Sequence, residues 1–295
     1  MNENRTCSNS PVVIILTAIL IIQLLVVLYP IAFTISAAFT KSNSLAATSI
    51  VPFPKEPSLY QFRRLLTPSD QFVKGTTDVH GTNYVHWYFN TLKVACLNTV
   101  LTVILCSLAG YIFSRFTFPF RRTVMASMVI LQMFPSFIGM IATYVILWKI
   151  NGLDTLWGLV LVYSAGSIPF NSWLMKGYFD TVPKELAEAA YIDGATPFTA
   201  FLRVVLPAAK PQLIFLALTS FTGPWMDFIF PRLVLRSDSK KTLAVGLFEM
   251  INNRVADNFT MFAAGALLVA VPFTILFMAG QKSLIQSLAG TGGKE

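Results

Sequence analysis

Long apolar runs separated by shorter polar links dominate the pattern of this chain. A helix that crosses a bilayer needs about 20 mainly apolar residues. Stretches of that length occur at residues 12–39, 89–114, 123–148, 155–176, 208–235 and 259–281. The pattern therefore predicts an all-α integral membrane protein, in which residues 1–295 form one domain with six transmembrane helices.

The stretch between the fourth and fifth predicted spans, residues 183–207, is more polar and reads PKELAEAAYIDGATPFTAFLRVVLP. Residues 184–192 are good helix formers, and Gly194 can take the left-handed conformation that follows many helix ends. Thr196 suits the N-cap of a second helix, with Pro197 in its first turn. These residues predict two short helices joined by a sharp turn.

The two short helices are predicted to present different surfaces. In the second, an apolar face repeats at i, i+3, i+4 and i+7 and consists of Phe198, Phe201, Leu202 and Val205. That helix should break or restart at Pro207, which lacks the N–H of a helix interior. The first combines small alanines, which let another protein approach, with acids that can meet a basic partner: Glu185, Ala187, Glu188, Ala189, Ala190 and Asp193. The alternative is a helix lying on lipid, but anionic lipid would repel its acids.

Composition supports a membrane protein and excludes several other classes. Of 295 residues, 55% are apolar and 12% are charged, whereas a soluble domain has about a quarter charged. The net charge of +8 is scattered among the apolar runs, which indicates membrane orientation rather than nucleic-acid binding. The three cysteines lack metal-ligand spacing, and no Gly-rich phosphate loop is present. We therefore predict no metal, no cofactor, no catalytic residue and no ATP hydrolysis by this chain.

Basic residues predict how the chain crosses the membrane. The loop 115–122 contains three arginines and no acid, which places it in the cytoplasm. With six spans, both termini and residues 183–207 then lie on the same side. Segments 40–87 and 236–258 also carry basic residues, so the totals on the two sides are nearly equal. The short acid-free loop therefore decides the predicted orientation.

Polar and helix-breaking residues lie inside several predicted spans. Prolines there indicate either a pathway that hinges or packing kinks, and the sequence leaves both open: Pro135, Pro169, Pro224 and Pro272. The fifth span is predicted to be interrupted at Gly223-Pro224. Polar and acidic residues at membrane depth are costly and usually face a bundle interior. Asn171 and Asp227 are therefore candidate pathway residues, with the outer interface as the alternative for Asp227.

The spacing of Glu188-Ala189-Ala190, Gly194, Val204 and Leu206-Pro207 resembles that of a known family. It is similar to the EAA loop of permease subunits in ATP-binding-cassette (ABC) importers, with Val204 in place of an isoleucine. The resemblance implies a cytoplasmic helix-turn-helix that docks into a cleft of an ATPase subunit. The coupling residues that it implies are Glu185, Glu188, Ala189, Ala190, Asp193, Gly194, Leu206 and Pro207.

Most of the chain resembles the second, shorter permease of maltose/maltodextrin-type sugar importers, through residues 170–195, 206–213, 242–247 and 281–295. The resemblance implies a type I importer (MetI-like) fold in a bacterial cell membrane, in a heterodimer with a larger permease. It also implies two copies of a cytoplasmic ATPase and an external sugar-binding protein. The outer loop that would reach this binding protein contains Asn252, Asn253 and Arg254. The insertion at residues 65–86 departs from a minimal member.

The resemblance implies ATP-driven sugar import by alternating access. ATP would close the ATPase dimer, and the two helices around Gly194 would carry that movement to the spans. The sequence leaves the substrate open among maltodextrin, a related oligosaccharide, another sugar and glycerol phosphate. A secondary transporter is the competing class, and inverted repeats or intramembrane charges for ion coupling would favour it.

Overall fold

The computed structural model describes residues 11–43, 54, 56–74, 76, 79–252 and 258–292. Within these ranges the chain is helical, with one isolated antiparallel bridge between Phe72 and His80. The helices are α1 Pro11–Ala38, α2 Tyr60–Leu66, α3 Tyr84–Arg115, α4 Arg121–Gln132, α5 Ser136–Lys149, α6 Leu156–Thr181, α7 Lys184–Ile192, α8 Pro197–Ala200, α9 Leu206–Ala208, α10 Lys210–Met226, α11 Ile229–Val234, α12 Leu243–Asn252 and α13 Phe259–Gly292. A π-helical turn, Phe201–Val205, joins α8 to α9, and a 3₁₀ turn, Asp238–Lys240, precedes α12.

Three helices are long and apolar enough to cross a membrane, and they coincide with the first, second and sixth predicted spans. They are Pro11–Ala38, Tyr84–Arg115 and the Phe259–Gln281 part of α13. Two further spans exist if each bent helix pair is counted as one, which makes five among the described residues. Helix α6 covers the fourth predicted span but is not in this set. The count of six spans therefore stays a prediction.

The third and fifth predicted spans are not single straight helices. The chain bends by 105° between α4 and α5, next to Pro135, where the proline cannot continue the backbone ladder. It bends by 81° before α10, at Ala209, two residues after Pro207. The interruption predicted at Gly223-Pro224 is wrong, because α10 continues through both residues. The helix ends instead at Asp227, whose backbone is extended.

The chain forms two compact units. The smaller contains the described parts of Met1–Val85 and Leu247–Ala270. Its core joins the end of α1 to α13 through small residues, with Ala37 and Ala38 packed against Ala263 and Ala264. The hydroxyl of Tyr84 donates to the carbonyl of Gly265 at 2.9 Å and adds a polar tie within this unit.

The larger unit contains the described parts of His86–Gly246 and Val271–Glu295. One of its apolar clusters lies where α3, α6 and the residues after Gly194 meet, and includes Tyr111, Met175, Phe179, Phe201, Val205 and Leu216. A second cluster joins α3, α5, α6 and α11 through Val94, Leu147, Leu159, Phe230 and Val234. The first cluster anchors the segment that the sequence predicted to be a coupling element.

Candidate functional site

The turn between α7 and α8 has the conformation that the sequence predicted. Gly194 has a φ of +85°, in the left-handed region. The N–H of Ala195 donates to the carbonyl of Ala190 at 2.9 Å, and the N–H of Gly194 donates to that of Tyr191 at 3.0 Å. This pair of bonds is the Schellman motif, which satisfies carbonyls that a helix end leaves free. The turn is therefore specified by local chemistry.

The second helix also begins as predicted. The Oγ1 atom of Thr196 accepts a hydrogen bond from the N–H of Thr199 at 3.2 Å, and Pro197 occupies the first turn. Such a cap satisfies one of the free amides of a helix start.

Half of the predicted apolar face of this second helix is buried within the chain. Phe201 and Val205 are buried, whereas Phe198 and Leu202 are exposed at 62% and 44%. A π-helical turn occupies Phe201–Val205, within this face. It closes i→i+5 hydrogen bonds and so rotates side chains relative to a regular α-helix.

A tyrosine on α3 connects both arms of the turn to the membrane helices. Tyr111 is 4% exposed, and its ring lies 4.6 Å from that of Phe201 between centroids. Its hydroxyl donates to the carbonyl of Pro197 at 3.4 Å. The hydroxyl of Tyr191 lies 3.3 Å away and can donate to it in turn. One side chain therefore contacts α7 and α8 at once. Sequence analysis missed it, although a tyrosine within an apolar span was a usable signal.

Polar contacts at the end of α3 hold the chain where it enters α7. The guanidinium of Arg115 donates to the carbonyls of Phe179 and Val182 at 3.1 and 2.7 Å. The hydroxyl of Ser114 donates to Asp180 at 2.7 Å. Because these carbonyls end α6, the bonds satisfy a helix terminus and fix the position of the turn relative to α3.

The predicted coupling residues of α7 mostly face outward. Glu185, Glu188, Ala189 and Asp193 are exposed, Ala190 is half-buried, and Ala187 is buried against the first apolar cluster. The three acids form no ion pair with any residue that the structure describes. Leu206 is half-buried against the first apolar cluster, and Pro207 is exposed. Helix α7 therefore presents a small acidic surface on its outer side and packs against the first apolar cluster on its inner side.

The candidate pathway residues are placed apart. The Oδ1 atom of Asp227 accepts the N–H groups of Ile229 and Phe230 at 3.0 and 3.3 Å, so the carboxylate caps α11. Its Oδ2 atom accepts the hydroxyl of Tyr163 at 2.8 Å. Asn171 is half-buried on α6, eight residues after Tyr163 and so about 12 Å farther along the helix.

The candidate binding-protein contact lies at the edge of the described structure. Asn252 is exposed at the end of α12. Asn253 and Arg254 lie outside the described residues. Between residues 79 and 252, and in the other described ranges, no group of three or more His, Cys, Asp or Glu side chains could hold a metal ion.

A polar network holds the other end of α3. The indole N–H of Trp87 donates to the carbonyl of Asp238 at 2.8 Å, and the amide of Asn90 donates to that of Ser239 at 2.8 Å.

Partial burial raises the pKa of Asp154, but hydrogen bonds from the hydroxyl and amide of Ser237 outweigh it. A hydrogen bond from the Arg236 amide and the positive charge of Lys240 lower the pKa of Asp154 further, to about 2. Sequence analysis missed this network.

Comparison with known proteins decides the family. Residues 103–289 include Tyr111, α6 and the whole α7–α8 turn. They match the family described as binding-protein-dependent transport system inner membrane component. The chain belongs to this family. It is therefore an inner membrane component of a transport system, with the helical permease fold that the sequence predicted.

Curated relatives align over almost the whole chain. The chain is 40% identical to the maltodextrin transport system permease protein MdxG of Bacillus subtilis (strain 168), over 92% of each protein. It is 35% identical to the galactooligosaccharides transport system permease protein GanQ of the same organism, over 91% of each. A solved chain of a bacterial ABC transporter that imports alginate has a TM-score of 0.80 at 22% identity, covering 96% of this chain and 100% of that one. The last comparison shows the fold.

Proposed function

We propose that this chain is a permease subunit of an ATP-driven, binding-protein-dependent sugar importer. Its substrate is a maltodextrin or a related oligosaccharide, because the relatives aligned over nine-tenths of the chain are named for maltodextrin and galactooligosaccharide transport. The observation that carries the coupling role is the exposed acidic helix α7, which ends in a Schellman turn at Gly194. The chain hydrolyses no ATP itself, and a separate ATPase drives the cycle.

The turn is suited to transmit force in both directions. Its outer surface carries Glu185 and Glu188, which are available to a basic cleft of an ATPase subunit. Its inner surface is bonded to α3 through Tyr111. Arg115 of α3 also holds the chain at Val182, just before α7. A movement of the docked ATPase would therefore displace α3 rather than bend a loose loop. When ATP closes the ATPase dimer, this displacement opens the spans outward, as alternating access requires.

The complete importer needs other subunits. We propose a larger permease as heterodimer partner, two copies of a cytoplasmic ATPase and an external sugar-binding protein. Asn252, Asn253 and Arg254 would contact the binding protein, and Asn171 and Asp227 would lie along the pathway. Both chain termini and the α7–α8 turn would face the cytoplasm in this arrangement, on the side of the arginine-rich loop 115–122.

A co-purification experiment tests the coupling role. The tagged chain is expressed with its candidate partners, extracted in mild detergent and assayed for bound ATPase activity. Wild type should retain a second permease and an active ATPase. Glu188→Lys should lose only the ATPase, because it places a positive charge on the docking surface.

The matched control is Glu56→Lys, which makes the same charge change at an exposed position in the predicted outer segment. This control should retain both partners. Retention of ATPase activity by Glu188→Lys would contradict docking through α7. Purification of wild type alone, with no ATPase under any condition, would contradict the importer itself.

The substrate requires a separate test. Cells that contain the complete system are given labelled maltotriose, with unlabelled galactooligosaccharide or glycerol phosphate as competitor. Inhibition of uptake by maltodextrins alone supports the maltodextrin assignment. Inhibition by galactooligosaccharide alone favours galactooligosaccharide as the substrate, for which the relative GanQ is named. Inhibition by glycerol phosphate alone overturns the sugar assignment.

A further inference from the structure

Two arginines begin α4 and line two adjoining clefts. The first cleft has a volume of about 430 Å³ and is lined by Arg121, Arg122, Met125 and Lys176. The second, of about 420 Å³, is lined by the same two arginines and by Thr117, Phe118, Phe120 and Thr123. Both volumes lie within the range of small-molecule sites. We call the two clefts together the arginine cleft.

The charge of this cleft is not balanced within the described structure. Lys176 pairs with Asp180, but neither Arg121 nor Arg122 forms an ion pair with a described residue. The first turn of α4 contains no acid. A helix start carries partial positive charge from its free N–H groups, so two arginines there oppose the helix dipole. An anion in the cleft would offset both the dipole and the arginine charges.

The surroundings of the cleft are apolar. Phe118 is 37% exposed and Phe120 is 77% exposed. Farther along α4, Ile130 and Leu131 are 64% and 67% exposed. Apolar aromatic side chains beside basic ones are typical of segments at the boundary between lipid headgroups and acyl chains. The cleft thus joins a cationic pocket to an apolar helix surface.

The position of the cleft relates it to the α7–α8 turn. Lys176 lies on α6 one turn before Asp180, and Asp180 accepts the hydroxyl of Ser114 at 2.7 Å. The next residue along α3, Arg115, holds the chain at Val182, where it enters α7. The cleft and the turn therefore lie at the same end of α3 and α6.

We propose that the arginine cleft binds a phosphate group, supplied by the headgroup of an anionic phospholipid. Arginine offers paired donors that match phosphate oxygens, and basic pockets between membrane helices are suited to anionic headgroups. The exposed apolar face of α4 accepts the acyl chains, for which a free phosphate ion has no counterpart. The lipid clamps the start of α4 against α6, next to the coupling turn.

Native mass spectrometry of the detergent-solubilised full chain tests the site. The protein is titrated separately with dioleoyl phosphatidylglycerol, dioleoyl phosphatidylcholine and inorganic phosphate. The variants are Arg121→Gln/Arg122→Gln, Arg121→Lys/Arg122→Lys and a control, Arg203→Gln/Lys210→Gln. The control also removes two positive charges, but at exposed positions that follow the α7–α8 turn and lie outside the arginine cleft.

Wild type should bind phosphatidylglycerol more tightly than phosphatidylcholine. The glutamine pair should weaken phosphatidylglycerol binding by roughly 10- to 30-fold, the effect of two near-surface cations. The lysine pair should lose less because it keeps the charge, and the control should bind as wild type does. The lysine pair also separates loss of charge from misfolding.

Three results would overturn the proposal. Equal phosphatidylglycerol binding by wild type and the glutamine pair removes the site. Equal weakening in the control shows that total charge, not the cleft, attracts the lipid. Displacement of phosphatidylglycerol by millimolar inorganic phosphate assigns the cleft to free phosphate and overturns the lipid assignment.

Discussion

Replacing Gly194 tests whether the geometry of the coupling turn matters for transport. A Cβ atom built at Gly194 meets no atom within 4 Å, so the cost of a side chain is not steric crowding by neighbours. The φ of +85° at Gly194 instead imposes backbone strain of about 1–2 kcal/mol on any L-residue that replaces the glycine. Valine, being β-branched, should lie toward the upper end of the roughly 1–3 kcal/mol range for such strain.

These energies predict a graded series of substitutions. One to two kcal/mol corresponds to roughly a 5- to 30-fold shift in a conformational equilibrium. Gly194→Ala should reduce ATP-coupled transport by about that factor, and Gly194→Val should reduce it further. Gly194→Asn should retain most activity, because asparagine tolerates the left-handed conformation.

The assay is sugar uptake per ATP hydrolysed by the complete complex in proteoliposomes. The matched control is Gly177→Ala on α6, where a new Cβ also meets nothing within 4 Å but no left-handed φ opposes it. The control should behave as wild type or become slightly more stable. Normal coupling in Gly194→Val, or a defect in Gly194→Asn as large as that in Gly194→Val, would refute the argument from backbone strain.

Three further predictions concern buried or bonded polar groups. Tyr111→Phe keeps the ring packing but loses the hydroxyl bonds to α7 and α8. Sugar uptake per ATP hydrolysed should therefore fall about 2- to 10-fold. An unchanged uptake per ATP would contradict the anchoring role of Tyr111. Asp227→Ala should lower the amount of folded protein, because it uncaps α11 and leaves the Tyr163 hydroxyl without its acceptor. Asp227→Asn keeps an oxygen acceptor and should fold; reduced transport by the folded Asp227→Asn protein is expected from the proposed pathway role, and normal transport would assign Asp227 to the cap alone. Hydrogen bonds from Ser237 lower the pKa of Asp154 to about 2 in the folded protein, whereas an unfolded Asp has a pKa of about 3.9. The ionised Asp154 carboxylate therefore stabilises the fold above pH ~4, and this stabilisation is lost as the pH falls through 2. The difference in melting temperature between wild type and Asp154→Asn should therefore shrink over that range, and a constant difference would contradict the assignment.

The shape of the α7–α8 turn was predictable because its causes are local. A left-handed glycine, a threonine N-cap and a first-turn proline act on backbone groups within a few positions along the chain. Gly194, Thr196 and Pro197 adopt the predicted conformations, and α7 has the predicted extent. The spacing of Glu188 to Pro207 also pointed to the family to which the chain belongs.

The burial of the second arm was less predictable, because it depends on distant residues. Phe201 is buried by Tyr111 and Phe179, which lie on two other helices. A π-helical turn begins at Phe201, and Phe198, which lies before it, is exposed. A periodicity rule assumes a uniform α-helix and fails where the helix changes its pitch.

By itself, the sequence determined the helical membrane class, the coupling turn and the family resemblance, because apolar length, helix caps and motif spacing are properties of short stretches. The tertiary structure decided which tyrosine anchors that turn and where the third and fifth predicted spans bend. It also decided that Asp227 caps α11 and accepts the hydroxyl of Tyr163. Buried polar groups must find hydrogen-bond partners, and only the packing of distant helices determines which partners are within reach.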